Sequence, residues 1–204
     1  MLLGIKKSLF TAGATSLLSL GTLAIANPTY AASIDLSNWG TIGDTIVNNS
    51  QAAINSGTVN TALAGGGTGS IEDFLGISAG SLDPVGSTFG ATQGSAIKKT
   101  FTSINAGDVF RFNWNFATSD TDSAFVTINN SVIPLTGSTP FSYSFATAGN
   151  YNIGIGVVDV EDTIGNSTLT VSDADLQAVP EPMTILGSAV ALLFGTVMRL
   201  RLTK

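Results

Sequence analysis

Between Val109 and Ala117 the chain reads Val-Phe-Arg-Phe-Asn-Trp-Asn-Phe-Ala. Phe110, Phe112, Trp114 and Phe116 alternate there with Arg111, Asn113 and Asn115. A helix would scatter the four rings around its circumference, whereas an extended strand puts them all on one face. A strand with one such face is half-buried and needs an apolar layer opposite it. Further strand patterns follow at Ala124–Ile128, Phe141–Phe145, Tyr151–Val158 and Ser167–Val171. Turn-forming residues separate them: Ala106-Gly107-Asp108, Asn129-Asn130-Ser131, Ala148-Gly149-Asn150 and Gly165-Asn166. The expected fold is mainly β, a single antiparallel β-sandwich or jelly-roll-like domain.

Residues 32–95 carry a weaker pattern. Trp39 and Asp44-Thr45-Ile46-Val47 suggest early strands. Ser70-Ile71-Glu72-Asp73 has the order of a capping box, with the Ser70 hydroxyl placed to accept from the Asp73 amide. It opens a short helix that Gly76 ends. The run Gly65-Gly66-Gly67-Thr68-Gly69 is a loop; no lysine follows it, so it lacks the chemistry of a phosphate loop.

The chain has no cysteine and no histidine. Disulfides, thiolate or imidazole metal sites and histidine-based acid–base catalysis are therefore excluded. Residues 32–179 hold thirteen carboxylates against three basic residues, Lys98, Lys99 and Arg111, a formal charge of −10. Such a surface repels phosphate backbones, which excludes nucleic acid as a partner.

The two ends are built differently from the middle. Lys6 and Lys7 precede an uncharged stretch from Ser8 to Ala26 and then Asn27-Pro28-Thr29-Tyr30-Ala31. That order is a secretory signal, with small residues at Thr29 and Ala31 suiting cleavage after Ala31. Ala24 and Ala26 offer a second cleavage point. At the other end, Met183–Met198 is uncharged, and Arg199, Arg201 and Lys204 follow it. Sixteen helical residues span ~24 Å, close to a ~30 Å hydrocarbon core. The basic tail belongs on the cytoplasmic side, which leaves the body outside and agrees with the signal. Just before the helix, Val179-Pro180-Glu181-Pro182 stays extended, because two prolines deny it a helix.

Pro180-Glu181-Pro182, an uncharged helix and an arginine-bearing end resemble the PEP-CTERM sorting signal. The resemblance implies that an exosortase in the inner membrane recognises Pro180, Glu181 and Pro182 and removes the tag. Arg199 and Arg201 then act as the cytoplasmic stop. Members of that family are released or attached to the cell surface and its exopolysaccharide. The segments SIEDFLGISAGSLD, GSAIKKTFTSINAGDVFRFNWNF, SAFVTI and FSYSFATAGNYNIGIGVVDVEDTIGNSTL resemble a recurrent ectodomain of PEP-CTERM proteins. That likeness covers about residues 36–177 and implies a β-sandwich with no assigned catalysis.

The chain thus divides into a signal peptide (1–31), a β-sandwich ectodomain (32–179) and a sorting segment (180–204). The sorting segment holds the motif at 180–182, a transmembrane helix at 183–198 and a basic tail at 199–204. The implied partners are the Sec translocon and signal peptidase, the exosortase, the inner membrane in transit and exopolysaccharide. The expected location is the inner membrane as a precursor, then the cell surface or medium.

Within the body, Asp120 and Asp122 form one acidic loop group, and Asp159, Glu161 and Asp162 another. Calcium favours such oxygens, but no Asp-x-Asp-x-Asp/Asn-Gly loop is present, and solvated loop carboxylates read the same way. No cofactor is required otherwise. Carbohydrate contacts would need exposed aromatics, for which Trp39, Trp114 and Tyr143 are the candidates. Trp114 shares its face with three phenylalanines and belongs in the core, leaving Trp39, beside Gly40. No Gly-x-Ser-x-Gly elbow or histidine supports a nucleophilic serine, so the expected role is non-enzymatic: a cell-surface or matrix component, or else a carbohydrate-binding or calcium-dependent adhesion module.

Overall fold

The computed structural model describes residues 31–179 apart from 58–59, 86–87, 119, 162 and 164. The signal segment, the Pro180-Glu181-Pro182 motif, the terminal apolar stretch and the basic tail lie outside the described residues. Among the described residues no helix is long and apolar enough to cross a membrane.

The elements run in the order β1 (Ala32–Ser33), a 3₁₀ turn (Leu36–Asn38), β2 (Gly40–Ile42), β3 (Thr45–Val47), β4 (Gln51–Asn55) and β5 (Ala62–Leu63). A short helix, α1 (Ile71–Leu75), precedes β6 (Ala91–Ile104), β7 (Val109–Ala117), β8 (Ser123–Ile128), β9 (Ser131–Pro134), β10 (Phe141–Ser144), β11 (Gly149–Val160) and β12 (Thr168–Gln177). They form two antiparallel sheets. One has the order β10-β7-β12-β4-β3, with β1 also paired to β12; the other has β2-β6-β11-β8-β9, with β5 also paired to β6. The architecture is a mainly β, sandwich-like domain.

Its core lies between the sheets. The aromatic face of β7 points inward: Phe110 and Phe112 are fully buried, and Trp114 and Phe116 pack half-buried against the same cluster. Burying each of the first two rings is worth roughly 1.5–3 kcal/mol. Ile54, Leu169 and Val171 come from the neighbouring strands of the β7 sheet, and Ile97, Val126, Ile153, Ile155 and Val157 face them from the other sheet. Phe145 closes one side against Tyr143 and Tyr151, with ring centroids 5.1 and 4.5 Å away.

Strand β11 is buried from Ile153 to Val160 on both faces. Its Val158 and Val160 join Phe125, Ala96, Ile71, Leu75 and Leu82 in a second cluster outside the sandwich core. Helix α1 and the segment after it cover the outer face of that sheet, which is why β11 reads as a nearly continuous apolar run rather than a strict alternation. Gly154 makes the cover fit: a Cβ there would stand 2.4 Å from both Leu75 Cδ2 and Thr127 Oγ1.

Helix α1 forms as its caps dictate. The Ser70 hydroxyl accepts from the Asp73 amide at 3.2 Å, and Gly76 ends the helix at φ 76°, a conformation that favours glycine. Several strands exceed their sequence signal. β6 runs from Ala91 to Ile104 without a regular alternation of buried and exposed residues, and β12 runs on to Gln177 past a bulge between Ser172 and Asp175. Ladder hydrogen bonding to β11 and β7 carries both past the residues whose side chains announce a strand.

Candidate functional site

Trp39, the residue expected to offer an exposed ring, is buried at 4% exposure. Asp35 caps the 3₁₀ turn by accepting from the Ser37 amide, and the turn delivers Trp39 inward. Its ring lies 5.9 Å from Phe101 and 6.5 Å from Phe110. The structure therefore corrects the sequence expectation. An indole beside a glycine in a polar stretch looks exposed, but here it seals the core. Trp114 and Tyr143 are half-buried against that same core.

The acidic candidates separate into two kinds. Asp120 is exposed, and its Oδ1 accepts from the Thr121 amide at 2.8 Å. Glu161 is exposed in a left-handed turn at φ 79°. Asp162 lies outside the described residues. Asp122 and Asp159, by contrast, are buried at 9% and 1% exposure. The β8–β11 register pairs Val157 with Ala124 and Val158 with Ser123. Continued by one step, it sets Asp159 opposite Asp122. Side chains of opposed residues share a face, and this is the face of Val157 and Ala124, the interior one.

The other sheet contributes two buried hydroxyls at the same end. Ser56 follows Ile54 on β4 by two residues, and Ser167 precedes Leu169 on β12 by two. The period of two aims both inward, and both are buried. The Ser56 hydroxyl donates to Asp122 Oδ2 at 2.6 Å and accepts from the Ser167 amide at 2.9 Å. Sequence reading missed Ser56 and Ser167. Their signal, a serine where the alternation calls for an aliphatic residue, becomes visible only once the strands are in register.

A second polar feature is an open cleft of about 380 Å³ on the α1 side, lined by Gly65, Gly66, Glu72, Gly80, Asp83 and Gly90 among others. Glu72 is buried, and its two oxygens accept from the amides of Gly80 and Leu82 at 3.0 and 3.1 Å. Asp83 Oδ1 accepts from the Ala91 amide at 2.8 Å. Any side chain at Gly65 or Gly90 would have to displace one of these carboxylates. A Cβ on Gly65 would lie 2.8 Å from Glu72 Oε2, and one on Gly90 would lie 2.5 Å from Asp83 Oδ1. Phe89, which is exposed, immediately precedes the lining residue Gly90 in the chain. The cleft thus joins bare backbone with carboxylate acceptors.

Among the described residues, no group of three acidic, imidazole or thiol side chains is placed to hold a metal. Lys98 donates to the Phe74 carbonyl, with its ammonium 4.5 Å from the Phe74 ring centroid.

No protein-family model matches the chain, and no curated protein matches it in sequence. Among solved structures, the chain is similar to that of TmCBM61 in complex with β-1,4-galactotriose. The two are 10% identical, the match covers 71% of this chain and 91% of that one, and the TM-score is 0.37.

Proposed function

We propose that this protein is exported through the inner membrane, processed at both ends and used outside the cell as a non-enzymatic component of the surface or matrix, associated with exopolysaccharide. One observation carries the reading: a signal-type segment, a β body, Pro180-Glu181-Pro182, an uncharged helix-length stretch and a basic end follow one another in a single chain. Both terminal segments predict the same topology independently. The non-enzymatic reading draws on Glu72. Among the described cleft residues, this buried carboxylate has both oxygens engaged by backbone amides, the arrangement of a loop staple rather than of a proton donor.

Intact mass tests the sorting reading. Wild-type protein from surface and medium fractions is compared with a variant carrying alanine at positions 180–182. The expected wild-type mass lacks both ends, and the variant stays in the membrane at higher mass. A wild-type mass that still includes Met183–Lys204 makes the helix a permanent anchor and removes the exosortase from the account.

A second reading, direct carbohydrate binding, is favoured by the glycine-walled cleft with its acceptors and exposed Phe89. Binding of purified exopolysaccharide, measured by affinity electrophoresis, should weaken at least tenfold in Asp83→Ala and in Phe89→Ala. Unchanged retardation in both variants would reject the cleft as the contact.

A further inference from the structure

The interior end formed by Ser56, Asp122, Asp159 and Ser167 is an unusual thing for a sandwich core to contain. Two carboxylates are buried, Asp159 near the end of β11 and Asp122 just before β8, and the register of the two strands continued by one step puts them on the same face. Burying even one ionised carboxylate is costly unless an opposite charge or several donors compensate it. The described residues include three basic side chains, and none serves this end. Lys98 is committed to Phe74, Lys99 lies next to it on β6, and Arg111 is exposed on β7. On β6, Gln93 is the residue paired with Asp159, five positions before Lys98, a separation of roughly 16 Å along a strand.

Two further atoms point to a missing ligand. Asp122 Oδ1 and Ser167 Oγ are fully buried and have no hydrogen-bond partner among the described residues. Buried polar groups are rarely left so. Each belongs to the hydrogen-bonded chain Ser167–Ser56–Asp122 that links the sheets. The donor set is all oxygen: two carboxylates and two hydroxyls, with no nitrogen or sulfur. That chemistry selects a hard cation. Two carboxylate charges match a divalent one, and a set drawn from four strand ends suits calcium, which takes six to eight oxygens in flexible geometry, better than octahedral magnesium.

We propose that the Asp122–Asp159 end of the sandwich binds a calcium ion between the two sheets, with Ser56 and Ser167 supplying further oxygens. Asp120 and Glu161 are exposed and are not ligands. The ion ties β8 and β11 to the first residues beyond β4 and before β12. It also braces a cleft wall, because the Thr92 hydroxyl donates to the Asp159 carbonyl at 3.2 Å.

The test uses the full chain, purified in mild detergent and stripped with EGTA. Calcium chloride is titrated while thermal unfolding and calorimetric heat are followed. The expected result is one saturable site per chain and a rise in Tm of about 5 °C or more at a hundredfold excess over Kd. Magnesium should give less than half that rise. Asp122→Asn and Asp159→Asn should abolish the calcium-dependent rise, while Asp173→Asn, on the far part of β12, should keep it. Should either carboxylate variant fail to fold, Ser167→Ala retains both charges and should weaken calcium at least tenfold. No saturable heat in the wild type, or a rise unchanged in Asp122→Asn or in Ser167→Ala, overturns the proposal.

Discussion

The Ser56 hydroxyl donates to Asp122 Oδ2 at 2.6 Å, a hydrogen bond between residues 66 positions apart that joins the two sheets inside the domain. Ser56 also accepts from the Ser167 amide. Ser56→Ala therefore leaves a buried carboxylate oxygen and a buried amide without their shared partner. Each orphaned group costs about 1–3 kcal/mol, so the variant should lose at least about 2 kcal/mol. The urea midpoint reads this directly. A loss under about 0.5 kcal/mol, the level of an ordinary surface change, would mean the bond contributes nothing.

Trp39 and Trp114 are the chain's two tryptophans, and the fold gives them different surroundings. In a Trp114→Phe variant, the remaining Trp39 should emit at short wavelength and resist acrylamide quenching. In a Trp39→Phe variant, Trp114 should be quenched more readily, being half-buried. Trp39→Ala should cost about 3–5 kcal/mol through the cavity it leaves. Ready quenching of Trp39 would return it to the surface and restore it as a contact residue.

The caps of α1 can be tested separately. Ser70→Ala removes the acceptor for the Asp73 amide and should cost about 1 kcal/mol. Gly76→Ala places a Cβ at φ 76° and should cost a similar ~1 kcal/mol. The sites lie at opposite ends of one short helix, so a thermodynamic cycle between them should show coupling. Stability equal to wild type in both single variants would mean that α1 is held by Ile71 and Leu75 alone.

Asp35 supplies a pH-dependent element. Its carboxylate accepts from the Ser37 hydroxyl and amide at 2.7 and 2.9 Å and from the Asn38 side chain at 2.6 Å. Those bonds, the Ser37 hydroxyl's first, hold its pKa below the usual aspartate value. A lowered folded-state pKa means that the cap's contribution is present above the unfolded value and is lost as pH falls through the folded one. Carboxyl carbon shifts followed by NMR should show Asp35 titrating lower than a free aspartate. Ser37→Ala should bring the midpoint back up, and a midpoint unmoved by that change would reject the Ser37 bonds as the cause.

Much of this architecture could be read locally. The alternation from Phe110 to Phe116 identified β7 and its buried face, because a pleated strand sorts neighbours onto opposite sides whatever else the chain does. Ser70 and Gly76 marked both ends of α1, since capping is a contact between residues close in sequence. Signals failed where a side chain's environment comes from elsewhere. Ile153–Val160 looked like an ordinary strand; its second buried face exists because α1 folds over it.

By itself, the sequence determined the β class, the inward face of β7, the short capped helix and the absence of cysteine and histidine chemistry. Tertiary structure alone decided that Trp39 turns into the core and that Asp122 and Asp159 are buried together while Asp120 and Glu161 stay in solvent. It alone brought Ser56 within reach of Ser167, 111 positions away. The physical reason is range. Alternation and capping act within a few residues, whereas burial of a charge depends on which distant strands close over it, and that follows from sheet order and register.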